Sequence, residues 1–445
     1  MSPAHQRDNH VSTTSTVQPT PQTVEISRRL FIWAIVIGAA GSLLAVAYYY
    51  TLHFLIVLVW DKLVGLTPLS LPLIPTWNPA IIVVTATGGL IVGLLTRWLG
   101  AAGEIAAVVD NIHLDHGRIS IRQTPSMVVT SLVGITAGGS AGPEAPLVQI
   151  VGSCASWLGD RLRMNGQTVR TFTFCGMATA LGAFFGAPLG GAVFALEIPH
   201  RRGIEYHESL LPAIVSALVA FLVFHSIVGY ENVLFHFQQQ EPMSLMTVFW
   251  GILFGAIGAL FSKMFAVTFE LVGHVGEAYR ESPVLLATSG GLFIGLLAQI
   301  SPMTLFWGEF QIDRVINMGD ALLQTHSKLA AVSLLVGLAL IKILAISVTL
   351  RSGFRGGFIF PLMFVGAAIG TAASLLLPNA PAAAITIATM AAINVGITKT
   401  PISTSIILVT LTGLNMLPVV IAASVVSLLC TGNVSLINTQ RERTL

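Results

Sequence analysis

The chain has 445 residues, of which 22 + 20 = 42, or 9%, are charged. A soluble domain carries roughly a quarter charged residues, here about 111, so a water-exposed globular fold is excluded. The formal net charge of +2 and the lack of a basic run exclude a nucleic-acid partner.

Residues 1–27 are rich in Ser, Thr, Gln and Pro with no apolar core. They predict a disordered tail, not a signal peptide. Arg28 and Arg29 then precede the long apolar block 30–60, and further blocks follow at 80–99 and 330–350. A bilayer span needs about 20 mostly apolar residues. With a mean hydropathy of +0.81, the blocks predict an all-α polytopic membrane protein. Arg28 and Arg29 at one end and Arg441 and Arg443 at the other place both termini in the cytoplasm by the positive-inside rule. Arg161/Arg163 and Arg201/Arg202 are the other basic pairs, and the second of them marks a further cytoplasmic loop.

Between the blocks, Glu104, Asp110, His113 and Asp115 read as the polar face of an interfacial helix, and His200, Glu205, His207 and Glu208 as a solvated loop rather than a metal site. Cys154, Cys175 and Cys430 lie in apolar stretches with neither disulfide nor metal spacing, and read as buried packing residues. Pairs of glycines four apart (Gly89/Gly93, Gly251/Gly255, Gly366/Gly370) permit close helix contact and carry no functional weight. No metal and no cofactor is expected.

Several apolar segments are broken by glycine and proline in a pattern that recurs. Gly142-Pro-Glu-Ala-Pro146-Leu147 and Gly357-Phe-Ile-Phe-Pro361-Leu362 share Gly-x-x-x-Pro-Leu, and both run on to a glycine, Gly152 and Gly366. Ala183-Phe-Phe-Gly-Ala-Pro188 is then matched by Gly396-Ile-Thr-Lys-Thr-Pro401. Pro146 to Pro188 is 42 residues and Pro361 to Pro401 is 40, at offsets of 215 and 213. The division is therefore a first membrane repeat at 28–240, a second at 241–440 and a short tail at 441–445. Broken helices at matching places in two halves point to two inverted repeats of a transporter or channel. Their free N-terminal N–H groups and helix dipoles favour an anion. Glu144, set between Pro143 and Pro146, is an ionisable residue at membrane depth and the leading functional candidate.

Gly142-Pro143-Glu144-Ala145-Pro146, followed by Val148-Gln149, resembles the Gly-x-Glu-Gly-Pro motif of the CLC family of chloride channels and chloride/proton exchangers. Gly356-Gly357-Phe358-Ile359-Phe360-Pro361 resembles its Gly-x-Phe-x-Pro region, Leu196-Glu197 the end of its inner acidic helix, and Lys342 falls where many members have a lysine. The resemblance covers about 28–440 and implies a CLC-type fold, a homodimer in the bilayer, and a prokaryotic inner or plasma membrane. It implies transport of chloride or a similar small anion, with protons as an open second partner. Carried over, Glu144 is the gating glutamate, Phe358 and Ile359 offer backbone amides to a central anion, and Gly142 and Ala145 to an outer one. Four positions depart from the family. Gly100 or Ala101 replaces a pore serine and Ile437 a pore tyrosine. Ile359 stands at the usual aromatic place, and Ile198, beside Glu197, replaces the inner proton-transfer glutamate. Glu197 is the substitute relay to consider. The resulting expectation is a channel-like or weakly proton-coupled pathway, with a strict chloride/proton antiporter as the alternative. From another class, Gly138-Gly-Ser140-Ala-Gly142 formally matches a serine-hydrolase elbow, with His225 as its best candidate base by its apolar setting and no third member evident.

Overall fold

The computed structural model describes residues 27–441 apart from 75–76, 101–104, 202, 205, 230–233, 238–241, 280 and 414. Within them the chain is all-α, with no strand beyond two isolated bridges. The first eight helices are α1 (Arg28–Ile56), α2 (Pro79–Leu99), α3 (Ile105–Leu114), α4 (Thr124–Thr136), α5 (Glu144–Arg161), α6 (Gly166–Phe184), α7 (Pro188–Glu197) and α8 (Leu210–Val228). Nine more follow: α9 (Leu245–Glu277), α10 (Pro283–Ala298), α11 (Glu309–Asn317), α12 (Gly319–Thr325), α13 (Lys328–Arg351), α14 (Ile359–Leu376), α15 (Ala382–Thr398), α16 (Pro401–Thr412) and α17 (Leu417–Cys430). Among the described residues, six helical stretches are long and apolar enough to cross a membrane, including Arg28–Val64, Leu245–Glu277 and Lys328–Arg351.

Local chemistry sets many of the boundaries. Asn78 caps α2 by accepting from Ala80 N (3.1 Å) with Pro79 in the first turn, Asn165 caps α6 through Thr168 N (2.8 Å), and Ser244 with Thr247 forms a capping box on α9. Pro188 and Pro401 start α7 and α16, where proline's missing N–H costs nothing. The glycines four apart act as close-approach sites. A Cβ on Gly93 would meet Val284 of α10 at 2.5 Å, and one on Gly255 would meet Ala423 of α17 at 2.8 Å.

The packing repeats itself. α1 lies on α6 and α8 as α9 lies on α15 and α17; α5 packs on α6 as α14 packs on α15. The halves meet where α2 packs on α10 and α7 on α16. Short broken helices therefore end inside the protein, where α5, α6, α14 and α15 are buried along most of their length. The long helices carry the exposed apolar side chains that a bilayer would cover.

Three local expectations are corrected here. Only Cys175 is a buried packing cysteine; Cys154 is half-buried and Cys430 exposed, because it ends α17 on the outward face. His200 is buried, not solvated: its Nδ1 contacts Leu196 O (3.1 Å) and its ring stacks edge-on against His113 (5.2 Å). Glu205 lies outside the described residues, and no group of His, Cys, Asp and Glu among the described ones is placed to hold a metal. The α3 face is more than interfacial: Asp110 pairs with Arg441 (3.4 Å), and His113 Nε2 contacts Pro199 O (2.9 Å). Beyond the end of α3, Asp115 and Asp160 hold Arg118 (3.3 and 2.9 Å), and the hydrogen bond to Asp160, aided by the charges of both acids, raises its guanidinium pKa above the ordinary value. Glu104 lies outside the described residues.

Candidate functional site

The N-termini of α5 and α14 are lashed together at the centre of the protein. Gly142 N donates to Gly357 O (2.8 Å) and Gly357 N to Gly142 O (2.7 Å), a two-bond bridge between residues 215 apart in the chain. Glycine at both places leaves room for the Glu144 side chain. A Cβ on either would collide with the Glu144 carboxylate, which lies across the bridge.

Glu144 is 2% exposed and opens α5 behind Pro143. Its Oε1 accepts from Phe360 N (3.3 Å) in the first turn of α14, while Oε2 is buried with no hydrogen-bond partner among the described residues. A negative group thus sits at the positive end of a helix that begins inside the membrane layer. The N–H groups of Ala145, Phe358 and Ile359 make no hydrogen bond among the described residues and stay available to a ligand. Gly142 departs from expectation: its N–H is spent on Gly357 O, so it is no free donor in this conformation.

Two cavities approach this point from opposite sides of the first turn of α5. The larger, about 110 Å3, is walled by Glu144, Ala145, Phe358, Ile359, Ile198 and Ile437, with Arg351 and Arg355 as its cations. The smaller, about 10 Å3, lies beyond Pro143 and Leu147, between Tyr48, Phe184, Trp307 and Phe310. The α5 N-terminus with its carboxylate is the partition between them. Tyr48 is buried there and shares a hydrogen bond with Ser131 Oγ (2.8 Å).

Ile198 and Ile437 both line the larger cavity. A C-terminal strap holds them there: Gln440 Nε2 donates to Ile198 O and Thr398 O (both 2.8 Å), and Arg201 N to Arg441 O (3.0 Å). Gly100 is not on the wall. It is exposed at the end of α2 with φ +81°, its carbonyl accepting from Ser126 Oγ (2.8 Å). Ala101 lies outside the described residues. Glu197 points away from the cavity. Its carboxylate accepts from Ile402 N (3.0 Å), Ser403 N (2.9 Å) and Ser403 Oγ (2.6 Å), which makes it the anchor of the α16 N-terminus. No local signal announces this contact, because its partners lie 205 and 206 residues away. Ser140 Oγ makes no hydrogen bond among the described residues and so has no histidine base, while His225 lines a separate cavity beside Gly229. The hydrolase arrangement is not assembled.

A family model described as "Voltage gated chloride channel" matches residues 88–432. The chain belongs to the CLC family. Among curated relatives, the "Chloride/fluoride channel protein" of Pseudomonas syringae is 27% identical over 89% of this chain and 87% of its own length. The "Putative ion-transport protein YfeO" of Salmonella newport is 28% identical, over 76% of this chain and 78% of its own. The fold matches a crystal structure of a CLC-type fluoride/proton antiporter with a TM-score of 0.75 at 19% identity, covering 93% of this chain and 98% of that one. It also matches a slow cyanobacterial Cl-/H+ antiporter with a TM-score of 0.74 at 17% identity, covering 90% and 95%. As a CLC protein the chain is a membrane-embedded anion transporter or channel and not an enzyme.

Proposed function

We propose that this CLC protein moves chloride or a similar small anion between its two cavities past Glu144, which gates the path. The observation that carries this reading is the carboxylate itself, seated on the first-turn amide of α14 (3.3 Å to Phe360 N) between the cavities. That seat suits any small anion, because free N–H groups and the helix dipole surround it. Protonation removes the charge that holds the carboxylate there and frees the seat. Ala145, Phe358 and Ile359 then supply amides.

Transport is channel-like or weakly proton-coupled. A proton crossing the larger cavity needs ionisable groups or water, and Ile198 and Ile437 supply neither. Glu197 is engaged with α16 and is no free relay. The protein works in a prokaryotic inner or plasma membrane with both termini cytoplasmic, a reading supported by the basic residues Arg28, Arg29 and Arg441 and by bacterial relatives, and as a homodimer, which rests on family resemblance alone. Fluoride belongs in the test because of the name that the Pseudomonas relative carries.

The test is reconstitution in liposomes with anion efflux and proton uptake recorded together, for chloride and for fluoride. Rapid efflux with little proton movement is expected. Uphill proton uptake at a fixed ratio to the anion would establish the strict antiporter instead, and efflux of neither anion would overturn the proposal.

A further inference from the structure

Lys342 lies in the middle of α13 with no solvent exposure. Its Nζ reaches three carbonyl oxygens of one turn: Thr304 (3.0 Å), Leu305 (3.3 Å) and Phe306 (2.8 Å). The Phe364 ring of α14 stands 5.0 Å away. An ammonium has three protons to donate, and three acceptors receive them; a neutral amine has only two and would turn its lone pair on a carbonyl. The three carbonyls match the three donors of an ammonium.

Yet among the described residues no carboxylate lies within ion-pair distance of Lys342. The acid nearest along that turn, Glu309, accepts from Trp307 Nε1 instead (2.6 Å). A buried charge without a counter-ion is costly, by several kcal/mol. Three other charged side chains are buried in the described structure. Glu197 is held by the α16 amides, and Lys399, like Lys342, by three oxygens, Gly396 O, Thr431 O and Thr431 Oγ1. Glu144 is the remaining one, and it sits at the head of the helix whose flank Lys342 touches. Phe364 is five residues along α14 from Ile359, so Nζ stands on the order of 10 Å from that helix head.

We infer that Lys342 is the fixed counter-charge of the anion seat at the α14 N-terminus, stabilising whichever negative group occupies it, the Glu144 carboxylate or the transported anion. The inference rests on the reading of Glu144 as the gate. At about 10 Å through partly dry protein, one unit charge changes anion affinity by roughly tenfold. Arg351 and Arg355 add to the field from the cavity wall, where both are more open to solvent. Lys342 also has a mechanical duty. The turn it holds donates Phe306 N to Gly138 O (3.3 Å) and packs on Trp60, whose Nε1 donates to Thr136 O (2.6 Å) just before the gate loop.

Charge and scaffold are separated by K342R and K342Q in liposome efflux, reading half-saturating chloride apart from maximal flux. K342Q is expected to raise half-saturating chloride about tenfold, with K342R staying close to the native value. Loss of maximal flux in both variants at unchanged half-saturation would overturn the inference and leave Lys342 as a brace. Should the variants fail to fold, lysine-selective NMR of the native protein at neutral pH decides: an ammonium signal for Lys342 is expected, and a neutral amine would overturn it. A failure of the gate reading itself is distinct, because it shows in E144Q and not in Lys342.

Discussion

Two buried glutamates, each at the N-terminus of a helix from the other half of the chain, have opposite fates. Glu197 gives both oxygens to α16 through three hydrogen bonds of 2.6–3.0 Å, one of them a hydroxyl. Glu144 spends one oxygen on α14 through a single 3.3 Å bond and leaves the other without a partner among the described residues. Hydrogen bonds to a charged group are each worth about 2 kcal/mol. Glu197 is thereby clamped and Glu144 is poised. The same motif, an acid on a helix dipole, serves as a staple in one place and suits a gate in the other. The difference lies in the number of donors that surround the acid.

The strongest way to break this contrast is E144Q. The glutamine mimics the protonated acid, so anion efflux is expected to lose its rise with acidification and to show no proton coupling. Native pH dependence in the mutant would reduce Glu144 to a dipole-complementing residue. E197A should do the reverse, lowering stability by about 3 kcal/mol in detergent unfolding, because it strands the α16 amides. Its folded fraction should keep the native pH profile; a lost profile would make Glu197 a relay after all.

G357A tests the gate by steric means alone. The new Cβ would fall on the Glu144 carboxylate, so efflux at neutral pH should rise, by less than in E144Q. Unchanged efflux would show that the carboxylate does not rest across the Gly142–Gly357 bridge. The smallest effect is expected from S403A, which removes the 2.6 Å hydroxyl from Glu197. A loss of about 1 kcal/mol in unfolding, with unaltered flux, would fit a staple with bonds to spare.

Much of the architecture was written locally. Helices, their caps and the broken segments follow from composition, Pro and Gly placement and short-range hydrogen bonding, which is why Glu144 stood out on residue type and setting alone, whereas Phe358 and Ile359 came with the family resemblance. The recurrence of Gly-x-x-x-Pro-Leu also announced that the breaks are related. Ile198 and Ile437 were legible only through family resemblance, since nothing in an isoleucine advertises a cavity wall.

What the amino-acid sequence determined by itself is a membrane-embedded helical protein with two matching sets of broken helices and one conspicuous intramembrane acid. Those properties depend on residue type and spacing along the chain. Only the tertiary structure decided that Gly142 spends its amide on Gly357, that Gly100 stays off the cavity wall, and that Glu197 serves α16 rather than the path. It alone decided that Lys342 has three carbonyls and no carboxylate. Each of these depends on which donors meet which acceptors across separations from 26 to 215 residues. Packing of the two halves against each other settles such meetings, and no local pattern encodes them.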